Sequence, residues 1–94
     1  MPDPLVVLLV GIRKAHGLSQ KALEESMKLP EGTIRHIEFG RRRLPDFRHG
    51  LITWIRNFQV CVNASDSERK QILDLLSKEI LTQFGGLLDD LQGK

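Results

Sequence analysis

Arg41-Arg42-Arg43 is a run of three guanidinium groups, and Arg35, His36 and Glu31 stand a few residues before it. The arginines are always charged and present forked donors. His36 can donate or accept, and Glu31 can only accept. This is the chemistry of recognition through charge and hydrogen bonding, with no sign of bond making. The chain has no glycine-rich phosphate loop, and no Ser, Cys or His arrangement reads as a nucleophile with its base. His16, His36, His49 and Cys61 lack zinc-ligand spacing, so neither metal, cofactor nor enzymatic activity is expected.

The charge is divided along the chain. From Val10 to His49 nine basic residues face five acidic ones, a net +4, whereas from Asp66 onward the balance is −2. A basic first half suits a polyanionic partner, and a mildly acidic second half does not. With 40% hydrophobic and 28% charged residues the chain should fold, and with only 5% aromatics its core should be aliphatic. A single cysteine, Cys61, excludes an intrachain disulfide and fits a reducing cytoplasm. The apolar stretch Leu5–Val10 is too short to span a bilayer. It lacks the flanks of a signal peptide, so it reads as a core helix.

The elements that must position these groups read as five helices and no strand, an all-α fold. The first helix is expected over Pro4–His16, ending at Gly17. Ser19 then caps a second over Gln20–Met27. Lys28-Leu29-Pro30 forms a tight turn before a third helix, Glu31–Phe39, which stops at Gly40. After the arginine loop, Asp46 caps a fourth helix reaching Phe58, with Phe47, Leu51, Trp54, Ile55 and Phe58 on one face. Val60–Ala64 is a short link, and Ser65 opens the last helix with a capping box closed by Glu68. Leu73, Leu76, Ile80, Phe84, Leu87 and Leu91 then recur at 3, 4, 4, 3 and 4, the spacing of a seam between two helices. Gly85-Gly86 is a place where that helix can kink or break.

Two short helices, a tight turn and a basic loop outline a helix-turn-helix. Leu18-Ser19-Gln20, Thr33-Ile34 followed by Ile37-Glu38, Gly40-Arg41-Arg42 leading to Pro45, and the upstream pair Arg13-Lys14 resemble the Cro/repressor (XRE) family over about residues 12–58. The resemblance implies double-stranded DNA as partner, with the third helix in the major groove. Glu31, Gly32, Arg35, His36 and Phe39 project from the groove side of that helix. Glu31, Gly32, Thr33, Arg35 and His36 would then meet the DNA there, and Ser19, Gln20, Lys21, Arg41, Arg42 and Arg43 the phosphates. Three departures stand out: Glu24 replaces a usual Ala, Lys28 the turn Gly, and Pro30 a Ser cap.

The reading is therefore a DNA-binding domain over residues 1–60 and a dimerisation helix over 65–94, with Leu73, Leu76, Ile80, Phe84, Leu87 and Leu91 at the dimer interface. It implies a bacterial or phage-encoded, cytoplasmic homodimeric repressor on a pseudo-palindromic operator, without a membrane association. The alternative from another class is a protein-interaction module with a degenerate helix-turn-helix, for example an antitoxin-like partner binder.

Overall fold

In a computed structural model the chain is described over residues 3–46 and 49–91, with side chains described as far as Lys78. Five α-helices follow one another, and no strand occurs among the described residues: α1 Pro4–Ala15, α2 Gln20–Met27, α3 Thr33–Glu38, α4 Leu51–Val62 and α5 Asp66–Leu91. Each helix contributes apolar residues at three- and four-residue spacing, which places them on one face. Leu5, Leu9 and Ile12 come from α1, Leu23 and Met27 from α2, Leu51, Ile55, Phe58 and Val62 from α4, and Ile72 and Leu76 from α5; all are buried in one aliphatic cluster. Trp54 is half-buried and stacks on Phe58 with ring centroids 6.0 Å apart.

The ends of the helices have specific causes. Asp3 caps α1 by accepting from Leu5 N–H at 2.9 Å. Ser19 Oγ caps α2 by accepting from Ala22 N–H at 3.0 Å. Ser65 and Glu68 form the reciprocal box that opens α5: Glu68 Oε1 accepts from Ser65 N–H at 2.8 Å, and Ser65 Oγ from Glu68 N–H at 3.1 Å.

The fourth helix differs from its sequence-based expectation. It begins at Leu51, because Gly50 stands before it in a left-handed conformation (φ +98°) that interrupts helical continuity. Asp46 does not cap it; the Asp46 carboxylate accepts from His49 N–H at 2.8 Å within the preceding turn. Phe47 lies outside the described residues. The helix also runs on through Val60, so the link to α5 shortens to Asn63–Ser65, with Asn63 itself left-handed (φ 56°).

The expectation for α5 also needs correction. Leu76, placed on a seam shared with a second copy, is only 5% exposed in the chain's own core beside the fully buried Ile72. That half of the stripe covers α1, against which α5 packs. Leu73 points the other way and is 61% exposed. The side chains of Ile80, Phe84, Leu87 and Leu91 lie outside the described residues, and the α5 backbone is helical through Gly85-Gly86.

Candidate nucleic-acid interface

α2 and α3 are joined by a turn that needs a left-handed residue, and Lys28 supplies it at φ 58°. Leu29 N–H donates to Glu24 O at 2.9 Å, closing the end of α2. From α4, Asn57 donates to Met27 O at 3.3 Å and the Cys61 thiol to Ser26 O at 3.2 Å, so the same end is held from outside. The substitution at position 28 thus leaves the turn intact at a conformational cost of about 1 kcal/mol.

The start of α3 is held by an acid from α2. Glu24 is 6% exposed; its Oε1 accepts from Gly32 N–H at 3.1 Å and its Oε2 from Ile34 N–H at 2.7 Å. These are backbone donors that a helix leaves unpaired at its first turn, and a carboxylate there also opposes the positive end of the peptide dipoles. Gly32, the N-cap residue, makes no side-chain cap, and Pro30 cannot provide one. Glu24 therefore does from a neighbouring helix what a local Ser would do. Gly32 has φ +84°, and His36 lies across it: a Cβ there would sit 3.4 Å from the His36 ring. Only glycine meets both demands without strain.

A second tie fixes α3 against α1. The buried Arg13 guanidinium donates to both carboxylate oxygens of Glu38, at 2.7 and 2.9 Å, and to Leu18 O at 2.7 Å. Gln20 adds a third donor to Glu38 at 2.8 Å. A bidentate, nearly desolvated pair of this kind sets orientation because any misalignment leaves a buried charge unpaired.

Held in this way, α3 turns one face outward. The helix is shorter than the expected Glu31–Phe39, so Arg35 is exposed on α3 itself, Phe39 at its C-cap and Glu31 in the turn before it, with His36 half-buried. The loop that follows is anchored, because Arg41 N–H and Arg42 N–H both donate to His36 O, at 2.9 and 3.1 Å. Arg41, Arg42 and Arg43 are all exposed, so the loop puts three guanidinium groups at the C-terminal end of the outward face. The exposed Lys21 on α2 adds to the positive charge of this unit.

A helix-turn-helix family model matches residues 11–49, a span that holds α2, the turn, α3 and the arginine loop. The chain carries a Cro/repressor-type (XRE) helix-turn-helix. It is a DNA-binding regulator, and α2 and α3 are the two helices of its helix-turn-helix. Searches of curated proteins and of solved structures give no match.

Within the helix-turn-helix, Ser19, Lys21, Glu31, Arg35 and the three arginines are exposed. Thr33 is not: it is 4% exposed, because α3 begins at Thr33 and its first turn faces the core. The Gln20 amide is engaged by Glu38, and the Gly32 N–H by Glu24, so both act first as parts of the frame. Glu24 and Lys28, which look in sequence like signs of a degenerate motif, instead cap and close it. Phe39, expected on the outward side of the third helix, is exposed.

Proposed function

We propose that this chain is a sequence-specific transcriptional repressor that binds a pseudo-palindromic operator in double-stranded DNA as a homodimer, in the cytoplasm of a bacterium or on behalf of a phage. The observation that carries the proposal is the outward face of α3, with exposed Arg35 flanked by a loop whose three arginines are anchored to the same helix through His36 O. Arg35 reads guanine through its fork, His36 and Glu31 add a donor and an acceptor for neighbouring base edges, and Arg41, Arg42, Arg43 and Lys21 hold phosphates. The second copy is recruited through α5. Leu73 is exposed there, and Ile80, Phe84, Leu87 and Leu91 continue a seam spacing in the sequence. A twofold pair presents two recognition helices to half-sites about 34–36 Å apart. None of the described helices is long and apolar enough to cross a membrane.

Selection of bound duplexes from a random DNA pool tests the proposal. Enrichment of one inverted repeat supports it. Enrichment of none, under low-salt conditions that favour binding, rejects it.

A further inference from the structure

α1 carries no polar side chain from Pro4 to Ile12. A helix that is apolar on every side is normally covered on every side. Most of its surface is covered within the chain. Leu5, Leu9 and Ile12 are buried in the core, Leu8 packs against it, and Val6 and Val10 line a small apolar hollow with Ile37 and Trp54. The outer side is bare: Pro4, Val7, Gly11, Lys14 and Ala15 are exposed, Val7 by 54%. We infer that this outer face, centred on Val7 and Gly11, belongs to the homodimer interface and takes the apolar second half of α5 from the second copy, an inference that rests on the homodimer reading above.

Gly11 is the residue that points outside the chain. Glycine weakens a helix interior relative to alanine, because it has more backbone freedom to lose. Gly11 lies within α1, and a Cβ there would meet nothing within 4 Å. The chain's own packing therefore gives no reason for glycine, whereas a second helix crossing α1 would gain a closer approach from it. Val60 on α4, although 70% exposed, is a different case: Arg56, Asn57 and Asn63 are exposed around it, so it is an isolated apolar residue on a polar face. Leu73, 61% exposed, lies on α5, the helix that packs against α1.

A second copy fits this face by charge and by size. Lys14 is the only charged residue among the exposed five, whereas the sequence from Glu79 to Leu91 holds Glu79, Asp89 and Asp90 and no base. In that stretch Ile80, Phe84, Leu87 and Leu91 recur at four, three and four, and the span from Ile80 to Leu91 equals that from Pro4 to Ala15, about 16 Å of helix. α5 is one continuous helix to Leu91, so its second half does not fold back across the outside of its own α1. A stable interface buries about 800 Å² on each partner, more than five residues of one helix supply. A twofold pair makes the contact twice, once with each α5.

Sedimentation of the full chain over a range of concentrations tests the inference. Gly11→Glu and Val7→Glu each set an acid against an acidic α5, at positions exposed in the single chain. Each should raise the dimer dissociation constant at least about tenfold, as an unpaired charge closed into an apolar interface does. Gly11→Lys should weaken the dimer less than Gly11→Glu, and Val60→Glu should leave it unchanged. Thermal unfolding followed by circular dichroism, at concentrations where the chains are monomeric, should find Gly11→Ala at least as stable as wild type. Acidic variants that dimerise as tightly as wild type overturn the inference while leaving the homodimer intact. So does a Gly11→Ala variant of lower stability, or loss of the fold in both acidic variants, since either shows that the single chain itself needs this face. Wild-type protein that stays monomeric at every concentration overturns the homodimer reading itself.

Discussion

Glu24 Oε2 lies 2.7 Å from the backbone nitrogen of Ile34, so an acid of the second helix closes the first turn of the third. The relationship explains how a helix-turn-helix tolerates Pro30 and Gly32 where a side-chain cap would ordinarily start the recognition helix. It also makes the angle between the two helices and the stability of the second of them one property.

Replacing Glu24 with Ala should therefore destabilise the domain by about 1–3 kcal/mol, the range for a buried donor left without its acceptor. Glu24→Gln, which keeps one acceptor oxygen, should lie between. Urea denaturation followed by circular dichroism measures both, and a loss below about 0.5 kcal/mol for the Ala variant would show that the cap is incidental.

Arg13 and Glu38 should behave as a coupled pair. Either single Ala variant leaves one nearly buried charge behind, at about 3–5 kcal/mol, and the double variant should cost clearly less than the two losses added together. Additive losses in a double-mutant cycle would contradict the bidentate bond seen between them.

Lys28 holds a left-handed conformation that glycine adopts freely, and α2 ends there. Lys28→Gly should raise stability by roughly 1 kcal/mol or somewhat less, since glycine also loses more freedom on folding. A lower melting temperature for that variant would mean that the Lys28 side chain contributes packing.

Much of the architecture is legible in sequence because its signals are local. Ser19 and the Ser65–Glu68 box mark helix starts within three residues of the donors they satisfy. The start of the fourth helix is not legible: Asp46 has the composition of a cap, and only the observed left-handed Gly50 shows that the helix waits until Leu51. The role of Glu24 is hidden for another reason. Its partners lie 8 and 10 residues away, and they meet it only once the two helices have crossed. Leu76 is misplaced because the same 3–4 spacing serves a partner helix and the chain's own α1 equally well.

Glu68 gives the domain an acid-sensitive contact. Its carboxyl is held below the usual glutamate value, first by the Ser65 backbone N–H and then by His16, whose Nε2 lies 2.8 Å from Glu68 Oε1. A carboxyl lowered in the folded state adds stability that is fully present above its unfolded value and lost as pH falls through the folded one. Wild type should exceed Glu68→Gln in stability near neutrality, and the gap should close below the usual glutamate range. A gap that stays constant into acid would exclude this contact as the source.

The arginine loop leads to a single decisive titration. Affinity for a duplex should fall steeply with salt, and replacing Arg41, Arg42 and Arg43 together with Ala should make the slope of log affinity against log salt shallower by about three units. Arg35→Ala should instead cost about 1–3 kcal/mol on the selected operator while leaving binding to unrelated duplexes nearly unchanged. Duplex binding with both effects is the predicted result. Wild-type protein that fails to bind duplex DNA at low salt, or a triple variant with an unchanged slope, would contradict the assignment of α3 and its loop as the DNA-binding surface.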